Sequence, residues 1–121
     1  MLPTSPPDQL RCSQLLDLVL WLLGQRRRLR VVGESMVPLL RPGEEVLVNP
    51  RSYYRTPPQP GDLVVAEHPA QPGLELIKWV VDGQGDDYFI VGINLAASTD
   101  SRSFGPVHRE KLLGKVVCRF P

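Results

Sequence analysis

Apolar and polar residues alternate in short runs over most of the chain, and this period-two pattern predicts β-strands. The predicted strands span 29–32, 45–49, 62–67, 74–82, 88–93 and 114–120. Pro-Gly and Gly-Asp pairs between these runs mark turns, and residues 108–113 are expected to form one short helical turn before the last strand. The pattern therefore predicts a small, mainly β domain.

The N-terminal region follows a different pattern. Residues 15–23 form an apolar run that Asp17 interrupts, and a cluster of arginines occupies positions 26, 27, 28 and 30. A bilayer-spanning helix needs about 20 apolar residues, so this run is too short, and a secretory signal carries its basic residues before the apolar stretch. We predict an amphipathic helix over about 8–27 that docks on the domain or lies on a membrane surface. The chain then divides into a helical segment, 1–28, and a β domain, 29–121.

Length, charge and cysteine content limit the classes of function that fit this chain. A chain of 121 residues is long enough for one modest core, and a formal net charge of +1 argues against nucleic acid as a partner. Cys12 and Cys118 stand near opposite ends, without the spacing of metal ligands. We therefore expect reduced thiols in a cytoplasmic protein, with no metal and no other cofactor.

One serine is a candidate nucleophile. Ser35 lies in a Gly-x-Ser-Met turn between the apolar pair Val31-Val32 and the Pro42-Gly43 turn. A serine hydroxyl is a weak nucleophile at neutral pH and needs a base beside it. The rest of the chain must therefore supply that base.

Lys78 is the best candidate for the base. On the predicted strand 74–82 it shares a face with Leu76 and Val80, so aliphatic side chains flank it. Only three of the fourteen cationic side chains are lysines. A desolvated lysine can lose its proton near neutral pH, whereas an arginine cannot. The alternative is an ordinary strand lysine whose ammonium group reaches water.

Four segments in order resemble the type I signal peptidase family. Residues 32–48 resemble its nucleophile segment, residues 60–69 its Gly-Asp strand, and residues 77–81 the strand that carries its lysine base. Residues 92–107 resemble its closing segment, including a Ser-x-Asp-Ser-Arg sequence. The resemblance implies a small catalytic core of short, coiled antiparallel strands over 29–121, preceded by one N-terminal helix.

The resemblance also implies a role for each matching residue. Ser35 would be the nucleophile and Lys78 its base, with Ser98 orienting the lysine amine. Asp100 and Arg102 would form a charged pair that braces this loop, although an ordinary structural ion pair is an equal alternative.

The oxyanion site departs from the family pattern. Gly33 stands where many bacterial relatives carry a serine whose hydroxyl helps to bind the oxyanion. The backbone N–H of Ser35 would then have to supply most of that stabilisation.

The short length and the Gly-Glu-Ser-Met turn look most like the nickel-type superoxide dismutase maturation proteases, a branch of that family. This likeness implies a serine endopeptidase that removes an N-terminal extension from a precursor protein, namely a nickel superoxide dismutase proform. General processing of exported proteins is the alternative within the family. Peripheral membrane contact through the N-terminal helix is a further expectation.

On the residues alone, three other classes of protein remain as alternatives. A Ser-His-Asp hydrolase would use His68 or His108, but the chain has no Gly-x-Ser-x-Gly sequence, and both histidines are expected at the surface. A self-cleaving repressor would need a helix-turn-helix that the first 28 residues are too short to hold. A non-catalytic binding module on the same fold is the third alternative, against which the presence of both Ser35 and Lys78 argues.

Overall fold

The computed structural model describes residues 5–121, and most of them belong to strands and the turns between them. The strands are β1 (Arg27–Arg30), β2 (Glu45–Asn49), β3 (Leu63–Glu67), β4 (Glu75–Gln84), β5 (Asp87–Val91), β6 (Val107–His108) and β7 (Leu112–Arg119). The α-helices are α1 (Leu15–Leu22) and α2 (Ser101–Phe104), and short 3₁₀ turns span Leu95–Ala97 and Arg109–Lys111. The prediction of a small, mainly β protein with one N-terminal helix is confirmed.

The strands form one seven-stranded antiparallel sheet in the order β1-β2-β7-β3-β4-β5-β6. The pairing register shifts within β2–β7, β3–β7 and β4–β5. Such irregularities bend strands and increase their twist, which accounts for the curled shape of this sheet. In this strand order the last strand of the chain, β7, lies in the interior of the sheet, between β2 and β3.

Both faces of the curled sheet are buried in its centre. Neighbouring residues of β3 illustrate this, because Leu63 and Val65 pack in one hydrophobic cluster while Val64 and Ala66 pack in another. Since side chains alternate between the two faces of a strand, the two clusters lie on opposite sides of the sheet. A buried polar residue on β3 or β4 therefore has aliphatic neighbours on either face.

The N-terminal helix is shorter than predicted, and the first strand begins earlier. Helix α1 ends at Leu22, and Gly24 then adopts a positive φ of 78°, which suits glycine and ends the helical geometry. The arginine cluster enters β1, where Arg28 pairs with Glu45 of β2 and Arg27 with Glu75 of β4. The helix predicted over 8–27 and the strand predicted over 29–32 are thus wrong in their boundaries, because Arg27 and Arg28 lie in the edge strand and pair with carboxylates of other strands.

Helix α1 docks through one side and exposes the other. Trp21 packs edge-to-face on Phe120, with ring centroids 4.7 Å apart, and the guanidinium of Arg28 lies 4.4 Å from the Phe120 ring centroid. On the opposite side Leu15 and Leu22 are 78% and 76% exposed. Among the described residues, 5–121, no helix has the length and hydrophobicity needed to cross a membrane.

Candidate active site

The turn that carries Ser35 is held at both ends. Val31 donates its N–H to the carbonyl of Glu44, and Met36 is 2% exposed in the core, as expected for a residue beneath the turn. Between these anchors, Gly33 has a φ of +79°, a conformation that favours glycine. Ser35 is partly exposed, so the turn presents its hydroxyl at the surface while the next residue anchors it.

Lys78 is deeply buried. It lies on β4 opposite Val64 of β3, and it is 3% exposed. Burial lowers the pKa of the Lys78 amine; the negative charge of Asp100 opposes this effect and the positive charge of Arg102 adds to it. The net shift is downward, which favours the neutral amine that a general base requires.

A chain of hydrogen bonds runs from Lys78 to a buried carboxylate. The Lys78 Nζ donates to the Ser98 Oγ at 3.2 Å, and the Ser98 hydroxyl donates to Asp100 at 2.6 Å. Arg102 donates its Nε and Nη2 to the two oxygens of Asp100, each at 2.9 Å. The structure therefore brings together the lysine amine and the three residues that the resemblance named beside it, Ser98, Asp100 and Arg102.

Asp100 is held in its charged form although it is fully buried. Burial alone would raise its pKa, but hydrogen bonds from Arg102, Ser98 and the Gly92 N–H outweigh burial and hold the pKa of Asp100 well below its usual range. Asp100 also caps α2, because its side chain accepts the N–H of Arg102. The carboxylate thus fixes the loop that positions Ser98.

Gly92 lies where the turn that carries Ser35 meets the loop that carries Ser98. A Cβ at this position would lie 2.3 Å from the Ser98 Oγ and 2.8 Å from the carbonyl oxygen of Ser35. Both distances are far shorter than real Cβ contacts, so only glycine lets the serine turn and the Ser98 loop approach each other this closely.

Ser35 and Lys78 line the same pocket, which has a volume of about 250 Å³. Within residues 5–121 the Ser35 hydroxyl makes no hydrogen bond, and the lysine amine bonds Ser98 instead. Catalytic hydrogen bonds are often long without substrate and shorten in the complex. A larger pocket of about 560 Å³ surrounds Tyr53 and His108, but it includes neither residue of the pair. The smaller pocket is therefore the candidate site, because it is the one that holds the serine hydroxyl and the lysine amine.

The histidines do not form an alternative site. His68 is 7% exposed, so the prediction that it lies at the surface is wrong; its Nδ1 accepts the N–H of Ala70, and its ring packs 4.8 Å from that of Phe104. His108 is exposed, and its Nδ1 accepts the N–H of Glu110. In the described part of the chain neither imidazole hydrogen-bonds a serine or a carboxylate, as a catalytic triad would require.

Two residues of the site escaped prediction. The buried Ser101 accepts the N–H of Ile90 at 2.9 Å, which ties α2 to β5, and Asn94 donates two hydrogen bonds to carbonyls of the turn that carries Ser35. Ser101 stands in the Ser-x-Asp-Ser-Arg sequence, but a motif does not reveal which backbone group its hydroxyl meets. In residues 5–121 no three potential metal ligands cluster in a way that could hold a metal ion.

Comparison with known proteins points to peptidases. A family model described as signal peptidase, peptidase S26, matches residues 18–87 and 83–120. The mitochondrial inner membrane protease subunit 1 of Xenopus tropicalis is 29% identical, in an alignment that covers 72% of this chain and 64% of that protein. The mitochondrial ATP-independent inner membrane protease subunit 1b of Arabidopsis thaliana is 32% identical, in an alignment that covers 72% of this chain and 65% of the relative. The chain therefore spans slightly less than two thirds of the length of these relatives.

Proposed function

Because the chain belongs to the signal peptidase family, peptidase S26, we propose that it is a serine endopeptidase in which Ser35 is the nucleophile and Lys78 the general base. The observation that carries the proposal is the buried Lys78 amine, whose pKa is lowered and which lines the same pocket as Ser35. Ser98 fixes the amine, and the Asp100–Arg102 pair fixes Ser98.

In the acylation step the Ser35 Oγ attacks the scissile carbonyl carbon while its proton passes to the neutral Lys78 Nζ. The resulting oxyanion accepts a hydrogen bond from the Ser35 N–H, as an oxyanion site requires. The intermediate then collapses, the C–N bond breaks, and the protonated Lys78 gives its proton to the leaving amine. Water, deprotonated by Lys78, then attacks the acyl carbon. The bond between this carbon and the Ser35 Oγ breaks, the carboxylic acid product leaves, and Lys78 returns the proton to Oγ.

The proposed substrate is a precursor protein that presents an extended segment beside Ser35. The pocket lies between the end of the edge strand β1 with the two residues that follow it, 29–32, and the start of β4. Extended peptides bind such places by adding backbone hydrogen bonds at a sheet edge, and pockets read alternate side chains. Cleavage there would release an N-terminal extension.

The identity of the precursor rests on the sequence likeness described first. The short Gly-Glu-Ser-Met segment favours a nickel superoxide dismutase proform. The relatives are named as inner membrane proteases, which supports the broader alternative, processing of proteins exported to or across a membrane. The two substrate classes differ in whether a hydrophobic leader is required beside the cleavage site.

The test is a cleavage assay with both classes of precursor, read by mass spectrometry. We expect the chain to shorten the superoxide dismutase proform at one N-terminal bond, and Ser35→Ala to abolish cleavage while circular dichroism stays unchanged. Loss of a catalytic nucleophile costs about 10³-fold or more in rate. Cleavage by a folded Ser35→Ala protein would refute the mechanism, and cleavage of leader-bearing precursors alone would assign the broader substrate class.

A further inference from the structure

Asn94 joins two successive carbonyls of the nucleophile turn. Its backbone N–H donates to the Ser35 carbonyl at 2.8 Å, and its side-chain Nδ2 donates to the Glu34 carbonyl at 3.1 Å. The second bond spans 60 positions of sequence and links the loop after β5 to the turn after β1. One residue thereby fixes two neighbouring peptide groups at the proposed nucleophile.

The side-chain bond acts on the peptide group that carries the Ser35 N–H. The Glu34 carbonyl and the Ser35 N–H belong to one planar peptide unit, and among residues 5–121 only the Val37–Pro38 bond is cis. In a trans peptide the C=O and N–H point in opposite directions. The Glu34 oxygen accepts the Asn94 side-chain amide and also the N–H of Val37, the latter at 3.2 Å. Holding this oxygen on one side sets the direction of the Ser35 N–H on the other side, and the Asn94 bond is the part of that restraint that comes from the loop after β5.

The Ser35 N–H is free to bind substrate. Within the described residues it donates to no backbone or side-chain acceptor. Gly33 provides no hydroxyl as a second donor, so the oxyanion depends strongly on the aim of this single N–H. A hydrogen bond to the carbonyl of the same amide also polarises its N–H and strengthens its donation.

We propose that Asn94 is a positioning residue that aims the Ser35 N–H at the developing oxyanion. The inference rests on the proposed serine-protease function and adds a residue to it. The alternative is that Asn94 only fastens two loops together. The backbone bond from Asn94 to Ser35, and the close approach at Gly92, persist when the side chain alone is changed. Variants of the Asn94 side chain therefore distinguish a role in aiming the Ser35 N–H from a role in joining the two loops.

The test compares Asn94→Ala with Asn94→Asp. Both remove the amide donor, but the aspartate keeps the volume and turns an oxygen toward the Glu34 carbonyl. We expect kcat to fall about 10- to 100-fold in Asn94→Ala and at least as far in Asn94→Asp, because small misplacements of reacting groups cost this much. KM should stay within about threefold and the melting temperature within a few degrees, since the N–H is needed in the transition state rather than for substrate binding.

Asn49→Ala is the matched control, because the Asn49 side chain accepts the Arg51 N–H in a turn outside the pocket. Its kcat should equal that of the parent. Full kcat in either Asn94 variant, or a fall in kcat that only follows unfolding of both, would overturn the positioning role. Absence of cleavage by the parent chain, or activity of Ser35→Ala, would instead refute the proposed function.

Discussion

The choice of lysine rather than arginine at position 78 is a matter of proton affinity. Most cations of this chain are arginines, and two of those on β1, Arg27 and Arg28, pair with carboxylates at the surface. Lys78 instead lies in the interior, where burial is the largest influence on its pKa. A buried arginine would keep its charge, whereas a buried lysine can become neutral. The residue type thus matches the proposed task of accepting a proton.

Replacing Lys78 by arginine tests this argument. We expect Lys78→Arg to be as inactive as Lys78→Ala, because arginine keeps the charge but cannot act as a base at neutral pH. In the parent, kcat should rise with pH through the lowered pKa of Lys78, since only the neutral amine above that pKa can take the serine proton. Rate measurements from pH 6 to 10 would record this rise, which is the rising limb of the pH–rate profile.

Two histidine variants are the controls for the lysine prediction. His108→Ala removes an exposed side chain, and His68→Asn keeps an acceptor for the Ala70 N–H. Both should stay within about threefold of the parent in kcat and preserve the rising limb. An active Lys78→Arg enzyme, or loss of the limb in a folded histidine variant, would contradict the assignment of the base.

Gly92 provides a second prediction at the residue scale. In Gly92→Ala the new methyl group must displace Ser98 or the Ser35 turn, so kcat should fall roughly 10²-fold and stability by about 1–3 kcal/mol. Gly83→Ala is a matched control, because its Cβ would meet the Tyr88 ring at 2.6 Å, away from the pocket. It should lose stability but keep kcat. Equal kcat in the two variants would show that the contact at Gly92 does not govern the site.

At the scale of elements, sequence patterns predicted strands better than their ends. The strand 45–49 was predicted with its observed bounds, because β-branched residues alternate there and turn residues flank it. The arginine-rich strand β1 was missed at its start, since no apolar alternation marks an edge strand that cross-strand ion pairs stabilise. Tertiary partners, which a pattern does not contain, decided that boundary.

The same limit applies to the candidate site. Ser35 and Lys78 were predicted from a turn motif and from a lone lysine among aliphatic residues, and the resemblance supplied Ser98, Asp100 and Arg102. Asn94 and Ser101 were missed because they act through backbone carbonyl and N–H groups of distant segments. Every backbone has such groups, so only the fold reveals which ones meet.

Helix α1 carries a prediction about membranes, because its exposed leucines and the neighbouring arginines have the composition of a helix that lies on an anionic bilayer. We expect the chain to sediment with vesicles of phosphatidylglycerol and phosphatidylcholine, and to be released by salt. The double change Leu15→Gln and Leu22→Gln should weaken this binding about tenfold or more, since each burial is worth about 1.5–3 kcal/mol.

Tyr54→Ser is the control for that helix, as Tyr54 is exposed on the loop between β2 and β3. Its vesicle binding should match that of the parent. Equal binding by the leucine variant and the parent, or retention in the membrane after a carbonate wash, would contradict contact through the face of α1.

At the scale of the whole molecule, the N-terminal segment closes on the end of the last strand. Cys12 forms a parallel bridge with Arg119, and both described cysteines, Cys12 and Cys118, are free thiols. The Arg11 guanidinium donates two hydrogen bonds, of 2.6 and 2.8 Å, to the carboxylate of Asp17 at the start of α1. Because β7 lies between β2 and β3, this closure connects the helix to the centre of the sheet.

This closure should make the folded state sensitive to acid. The hydrogen bonds from Arg11 lower the pKa of Asp17 to about 2, so its stabilising effect is complete above the unfolded pKa of about 3.9 and is lost as pH falls toward 2. We expect the free energy of unfolding, measured by urea denaturation, to decrease over this range. Asp17→Asn should flatten part of that decrease, whereas Asp8→Asn, at an exposed position, should not. The same pH dependence in the parent and in Asp17→Asn would show that this ion pair does not stabilise the closure. Helix α1 would then be held by the remaining contacts, among them the packing of Trp21 on Phe120 and the bridge between Cys12 and Arg119.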